Sequence, residues 1–238
     1  MLLNPNVQIP ATDGAMGAYV AWPEGPLRGI VLIKVELWGM TPHMGEVAHR
    51  LAAEGYAAVV CDLFRGDTPP VPTDPVETWG ETFAAFDDVR ATRDCRHALG
   101  WALAGCGGRG TAPVFAWGFC MGGRFAHNLA AFDPRLTGAI NFYGRLSFPR
   151  LMNKPFLPIE VTRMIACPYL GVFAETDGLI PATDVARLDA DLAGNPSTAI
   201  VTYPGTEHAF FNDHRESFHA EVAMDAWGRV LAFLDLHR

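Results

Sequence analysis

Residues 118–122 of the sequence read Gly118-Phe119-Cys120-Met121-Gly122, which is a G-x-C-x-G pattern. The serine version of this pattern, G-x-S-x-G, marks a sharp strand-to-helix turn that exposes a nucleophile. Side chains at the two glycines would collide with such a turn. A helix that begins behind the cysteine favours its thiolate form, because the first N–H groups of a helix are unpaired and its dipole is positive there. We therefore predict that Cys120 is a nucleophile rather than an inert buried thiol.

A cysteine nucleophile needs a base or an imidazolium partner. Of the eight histidines, His208 has the best position, because it follows the last predicted strand and stands downstream of Cys120. His127 lies in the helix behind the cysteine and is expected to point away. An acid is expected after the penultimate strand, where Glu175 and Asp177 both stand. We favour Asp177, because Glu175 lies in or next to the strand.

These candidates must be positioned by the secondary structure, which alternates between short buried strands and helices. An antiparallel hairpin is predicted at one edge, over 6–22. The other strands are predicted at 29–36, 57–63, 113–118, 136–144, 168–175 and 198–205. The helices are predicted at 43–54, 77–104, 121–132, 181–193 and 217–236. The alternation predicts an α/β fold with a mostly parallel central sheet and helices on both faces. Such sheets bind ligands beyond the carboxyl ends of their strands, where the sequence has Glu36, Asp62, Cys120, Tyr143, Asp177 and His208.

The composition is typical of a globular protein, with 50% hydrophobic and 18% charged residues. The length suits one domain over residues 1–238. A net charge of −8 without a basic cluster argues against nucleic-acid binding. The N-terminal segment does not resemble a secretory signal, and no window is apolar enough for a membrane span, so we expect a cytoplasmic protein. The five cysteines lack the spacing of a disulfide framework or a zinc site, which predicts free thiols in a reducing compartment.

Four segments in this order resemble the dienelactone hydrolase family, a branch of the α/β-hydrolases. They are "KVELWG" with Glu36, "GFCMGG" with Cys120, "AETDGLIP" with Asp177 and "YPGTEHAFFND" with His208. The segment "AAVVCDLFRG" is also similar to the second core strand of that family. The likeness extends across nearly the whole chain. It implies an α/β-hydrolase fold and a catalytic triad of Cys120, His208 and Asp177.

The resemblance also implies roles for residues that the pattern alone leaves unassigned. Glu36 is expected to contact the resting cysteine and to move when substrate enters. The N–H groups of Leu37 and Met121 are expected to form the oxyanion hole. Cys120 would then attack a lactone or an enol ester, and water would hydrolyse the acyl-thioester with His208 as base. No metal or organic cofactor is expected.

The substrate pocket is less well defined by the sequence. Members of the family hold a substrate carboxylate with arginines, but Asn212 stands four residues after His208, where an arginine would be expected. Arg145, which follows a predicted strand end, is the best substitute. Three further arginines have no predicted place: Arg65, Arg124 and Arg215. The aromatic candidates for the pocket lining are Trp38, Trp79, Tyr143, Phe210 and Phe211.

Three alternatives to a lactone hydrolase remain open at this stage. The first is a broader carboxylesterase or thioesterase that acts on small acyl substrates. The second is a non-catalytic protein that binds a small hydrophobic ligand. The third is a thiol redox protein, although neither Cys106 nor Cys167 has the spacing of a resolving cysteine. The expected partner is a small lactone or ester, and the sequence is compatible with either a monomer or a homodimer.

Overall fold

The computed structural model describes residues 1–151 and 153–238 and contains an eight-stranded sheet. The strands are β1 (Val7–Ala11), β2 (Gly14–Ala21), β3 (Gly29–Lys34), β4 (Tyr56–Cys61), β5 (Val114–Phe119), β6 (Gly138–Phe142), β7 (Tyr169–Ala174) and β8 (Thr198–Tyr203). Their order across the sheet is β1-β2-β4-β3-β5-β6-β7-β8. The β1–β2 hairpin and the β2–β4 pair are antiparallel, and all the other pairs are parallel. The predicted α/β class and edge hairpin are confirmed.

The helices cover both faces of this sheet, as predicted. They are α1 (Pro42–Ala53), α2 (Val76–Ala85), α3 (Asp88–Leu103), α4 (Met121–Phe132), α5 (Pro158–Val161), α6 (Ala182–Leu192) and α7 (Ala220–His237). α1 and α7 share one face, where the Arg50 guanidinium lies 4.0 Å from the ring centroid of Trp227. α3 and α4 pack on the opposite face. Every residue of β3 to β7 is buried, because a parallel sheet between two helical layers has no solvent-facing side.

The prediction of one continuous helix over 77–104 is wrong, because the chain breaks between α2 and α3. Phe86 is extended there, and its buried ring packs against Phe64 and Phe125. Asp87 caps α3, since its side chain accepts a hydrogen bond from the Arg90 N–H at 2.9 Å. Burial of Phe86 and the cap together stabilise a new helix start. The sequence also did not predict the short helical segment at 158–164.

The topology brings the ends of four strands to the same edge of the sheet. Glu36 follows β3, Cys120 follows β5, Asp177 follows β7 and His208 follows β8. Parallel strands point their carboxyl ends in one direction, so residues far apart in sequence converge there. In the described part of the chain, no helix combines the length and the apolar character needed to cross a membrane.

Candidate active site

Cys120 lies at a tight turn between β5 and α4, in a backbone conformation that side chains rarely adopt. Its φ is 52° and its ψ is −115°. A Cβ at Gly118 would lie 2.0 Å from the carbonyl oxygen of Gly122, and one at Gly122 would lie 2.0 Å from that of Lys34. The collisions predicted from the sequence are therefore present. The turn exposes a half-buried Cys120 at the carboxyl edge of the sheet.

Asp177 and His208 are paired at the ends of β7 and β8. The Nδ1 atom of His208 lies 2.7 Å from Oδ2 of Asp177, whose side chain is fully buried. The other oxygen of Asp177 accepts a hydrogen bond from the Leu179 N–H at 2.8 Å. Glu175 instead accepts from the Gly205 N–H at 2.9 Å. The geometry thus pairs the histidine with Asp177, as the sequence predicts.

The electrostatic environment of His208 favours the imidazolium form. Burial lowers its pKa, but the nearby Cys120 side chain and the Asp177 carboxylate together raise it to about 10. Nε2 of His208 is buried and has no hydrogen-bond partner among the described residues. An imidazolium with one nitrogen on a carboxylate and a free nitrogen beside a sulfur suits a thiolate–imidazolium pair.

Replacement of Cys120 by alanine is expected to lower the pKa of His208 from about 10. Cys120 is the strongest of the influences that raise this pKa, and burial, which lowers it, remains in the variant. Histidine-selective NMR over a pH titration measures the shift. Cys167→Ala is the matched control, because that half-buried thiol is not among the groups that influence His208. An unchanged titration in Cys120→Ala would contradict the proposed ion pair.

Glu36 lines the same cavity as Cys120 and is almost completely buried, with an exposed fraction of 1%. Its Oε2 atom accepts a hydrogen bond from Nδ2 of Asn212 at 2.9 Å, and Oε1 has no partner among the described residues. Oδ1 of Asn212 in turn accepts from the His214 N–H at 3.0 Å. Among the described residues, the one hydrogen bond to the Glu36 side chain comes from Asn212, and the expected contact with Cys120 stays a prediction. From the sequence, Asn212 is only the residue at a position where the family has an arginine. No local pattern predicts its hydrogen bond with Glu36.

Leu37 and Met121 present the two expected oxyanion donors. Both residues line the cavity that contains Cys120. In the described residues, neither N–H donates a hydrogen bond to another backbone carbonyl. N–H groups without a backbone partner in the lining of this cavity are the kind of donor that stabilises a tetrahedral oxyanion.

The cavity around Cys120 has a volume of about 300 Å³, which suits a small molecule. Glu36 and His208 line it together with Cys120. Its apolar wall is formed by Leu37, Trp38, Val76, Trp79, Phe83, Met121 and Leu179. Trp38 and Trp79 meet edge to face, with ring centroids 5.1 Å apart.

Three of the six residues predicted for the substrate pocket lie outside the cavity lining. Trp38, Trp79 and Arg145 line it, whereas Tyr143, Phe210 and Phe211 do not. Tyr143 and Phe210 are both 0% exposed, and their ring centroids lie 5.5 Å apart. The ring of Tyr143 packs against the His208 imidazole at 5.2 Å. Tyr143 thus contacts the histidine and Phe210 packs against Tyr143, because the chain after β6 and β8 turns both side chains into the core.

Three arginines line the cavity, although the sequence pointed to Arg145 alone. Arg124 is fully buried, and its Nη2 donates to Oδ1 of Asp88 at 2.8 Å. Its Nε and Nη1 have no hydrogen-bond partner in the described chain. Burial lowers the pKa of Arg124 to about 10. Arg145 and Arg215 have no acidic partner within 4.0 Å in the described residues. The position of Arg124 on α4, one turn after Cys120, was the available sequence signal.

The basic side chains around Asp88 carry more positive charge than this one carboxylate neutralises. Nζ of Lys154 also donates to Oδ1 of Asp88, at 3.1 Å, so one carboxylate faces two cations. Both cations are fully buried. A buried, incompletely paired guanidinium at a cavity wall creates a site for an anion.

The sheet order, the strained turn after β5 and the Asp–His pair after β7 and β8 define an α/β-hydrolase fold. Comparison with known proteins agrees. The model of the dienelactone hydrolase family matches residues 16–237. A protein of Escherichia coli (strain K12) assigned as a carboxymethylenebutenolidase is 33% identical, with 94% of this chain and 83% of that protein covered.

Relatives of the same name occur in other bacteria, and solved structures share the fold. One from Methylorubrum extorquens is 33% identical over 96% of this chain and 79% of its own length. The crystal structure of a Klebsiella pneumoniae protein assigned as a dienelactone hydrolase superposes with a TM-score of 0.87, at 32% identity and 99% coverage of both chains. The chain belongs to the dienelactone hydrolase family and is a hydrolase that acts on carboxylic ester bonds.

Proposed function

We propose that this enzyme opens a lactone or an enol ester that bears a carboxylate, through an acyl-thioester on Cys120. The observation that carries the proposal is the shared cavity. Cys120 and His208 lie at one wall, and the unpaired guanidinium nitrogens of Arg124 belong to another lining residue. We also propose that residues 1–238 work as one domain, because strands from both halves of the chain join the same sheet.

In the first half-reaction, the Cys120 sulfur forms a bond to the ester carbonyl carbon. The N–H groups of Leu37 and Met121 stabilise the oxyanion. The C–O bond then breaks, and the leaving enolate takes a proton from the His208 imidazolium. In the second half-reaction, neutral His208 removes a proton from water, and the hydroxide displaces the thiolate from the acyl carbon. Asp177 keeps the imidazole oriented throughout, through its 2.7 Å contact with Nδ1.

The role that we assign to Glu36 follows from its contact with Asn212. A carboxylate at the thiolate would repel it, since like charges disfavour each other in a buried site. The hydrogen bond from Asn212 to Oε2 holds the carboxylate in place at 2.9 Å. In our proposal, Cys120 is a reactive thiolate while Glu36 is bound to Asn212. Release from Asn212 allows Glu36 to contact Cys120 and to keep it as a protonated thiol.

The acyl-thioester can be tested directly by acid quench and mass spectrometry. The protein is mixed with a slowly hydrolysed aryl ester, quenched, and digested into peptides. The acyl group is expected on the peptide that contains Cys120 and is expected to disappear on alkaline hydroxylamine treatment, which cleaves thioesters. An acyl group on another residue would refute the cysteine mechanism.

Loss of a cavity arginine is expected to slow the hydrolysis of carboxylated substrates more than that of neutral substrates. Arg145→Met should lower kcat/KM for a carboxylated enol lactone about 10- to 100-fold, the usual worth of a charge-assisted hydrogen bond. Turnover of p-nitrophenyl acetate, which carries no carboxylate, should change less than about threefold. Arg187→Met is the matched control, because this exposed arginine of α6 pairs with Asp191 outside the cavity. Equal losses on both substrates would contradict a carboxylate site.

A broader esterase is the second candidate, and the apolar wall favours it. Trp38, Trp79 and Phe83 provide an aromatic surface that needs no charge on the substrate. In that case the enzyme would hydrolyse neutral aryl esters faster than carboxylated lactones. The ratio of the two kcat/KM values for the wild-type enzyme decides between the candidates.

A further inference from the structure

A second cluster of polar side chains lies outside the catalytic cavity, where α1 faces the loop after β8. His43 and Glu46 are three residues apart on α1 and so share a face of the helix. Asp213 and His214 belong to the loop. Nδ1 of His43 lies 2.9 Å from Oδ1 of Asp213, and Nε2 of His214 lies 3.0 Å from Oε2 of Glu46. Nε2 of His214 is also 3.8 Å from Oδ1 of Asp213.

The ligand atoms of three of these residues lie as close together as the ligands around one metal ion do. One ligand atom from each of His43, Glu46 and Asp213 lies within 4.8 Å of the other two. Zinc binds nitrogen and oxygen at about 2.0–2.1 Å, so adjacent tetrahedral ligands are roughly 3.3 Å apart. The 2.9, 3.0 and 3.8 Å contacts bracket this value. Small rotations of exposed side chains would therefore complete the geometry, since Glu46, Asp213 and His214 are about half exposed.

The charge of the cluster is also suited to a cation. In the described residues, neither Glu46 nor Asp213 has a lysine or arginine within 4.0 Å, and their only basic partners are the two imidazoles. Arg50 of α1 interacts electrostatically with Asp213 from beyond 4.0 Å, while its guanidinium stacks on Trp227 at 4.0 Å. Three members of the cluster, His43, Glu46 and Asp213, line an open surface cavity of about 290 Å³, which provides an entry path.

We propose that His43, Glu46, Asp213 and His214 form a binding site for a zinc-type divalent cation. Two imidazoles and two carboxylates are a donor set that suits zinc, whereas magnesium prefers oxygen alone. Imidazoles bind such a cation in their neutral form. His43 is the buried anchor of the site, with an exposed fraction of 3%.

Two hydrogen bonds made by Asn212 connect the proposed cation site with the catalytic cavity. The His214 N–H donates to Oδ1 of Asn212 at 3.0 Å, and Nδ2 of Asn212 donates to Glu36 at 2.9 Å. A cation on Asp213 and His214 would fix the backbone that presents Asn212, and thereby the position of Glu36. This consequence rests on the proposed role of Glu36, whereas cation binding itself does not.

The test is calorimetric titration of the chelator-treated Cys120→Ala variant with zinc chloride. This background removes the thiol, which is itself a strong zinc ligand beside His208. One zinc ion per chain is expected, with a higher melting temperature of the zinc-bound protein. Asp213→Asn and His214→Ala should each weaken binding at least about tenfold, since even supporting groups cost 10- to 100-fold. Magnesium chloride should give no saturable binding.

His237→Ala is the matched control, because this histidine at the end of α7 packs against Phe233, away from the cluster. It should bind zinc as tightly as the background variant. The proposal is overturned by the absence of zinc binding, by binding that both cluster variants retain, or by equal affinity for magnesium. None of these results depends on ester hydrolysis, so a failure here leaves the proposed catalytic function untouched.

Discussion

Cys120→Ala is expected to lower kcat/KM for p-nitrophenyl acetate by at least about four orders of magnitude, because removal of a nucleophile ends covalent catalysis. The residual rate would come from the oxyanion donors at Leu37 and Met121 and from substrate binding. In the proposed mechanism both half-reactions need the sulfur, and Cys120 also contributes to the raised pKa of His208. Steady-state kinetics with p-nitrophenyl acetate and with the carboxylated enol lactone measures the loss of kcat/KM.

The controls for this experiment separate the nucleophile from the other thiols. Cys167→Ala removes another half-buried free thiol and should leave kcat/KM unchanged. Cys120→Ser preserves the size of the side chain but not the ion pair, because a serine hydroxyl does not ionise near neutral pH. It should therefore lose most of the activity while its circular dichroism matches that of the wild type. Full activity in Cys120→Ala would refute the assignment of the nucleophile.

Gly122→Ala is expected to lower the free energy of unfolding by at least about 3 kcal/mol, the upper part of the range for overpacked cores. The new Cβ would lie 2.0 Å from the Lys34 carbonyl oxygen and 2.7 Å from that of Val35. Both neighbours are backbone atoms beside the central strand β3, so relief requires α4 or β3 to move. Any such movement also shifts Cys120, so activity should fall with stability. Urea unfolding measures the first effect and ester hydrolysis the second.

Gly228→Ala in α7 is the matched control for this substitution. An added Cβ there meets no atom within 4 Å, and the residue lies inside a helix. The change should stabilise the protein by about 0.5–1 kcal/mol, because alanine loses less backbone entropy than glycine in a helix. If Gly122→Ala unfolded at the same urea concentration as the wild type, the close contact between α4 and β3 would be wrong.

Most of the fold could be predicted from local patterns. The buried strands are short runs of β-branched and aromatic residues between turn signals, and α4 starts and ends where the pattern predicts, at 121 and 132. The break at Phe86 could not be predicted in this way. Its cause is the burial of one ring against Phe64 and Phe125, which are 22 and 39 residues away. A helix pattern carries no information about such a distant contact.

The residues of the candidate site also differ in whether local patterns predict them. The Cys120, Asp177 and His208 candidates follow from strand ends and chain order, because in a parallel sheet these alone decide which residues share an edge. The lining of the cavity does not follow. Tyr143 and Phe210 also stand near strand ends, yet their side chains pack into the core rather than the cavity.

The sequence by itself determined the α/β class, the glycines of the turn and the residues that reach the carboxyl edge of the sheet. These features depend on periodicity, on chain order and on the steric demands of single residues. Only the tertiary structure decided that Asn212 holds Glu36, 176 positions away along the chain. It likewise decided that Arg124 lines the cavity and that two of its buried guanidinium nitrogens have no hydrogen-bond partner among the described residues. Both depend on which side chains meet across the packed layers, and that is set by the whole fold rather than by any local segment.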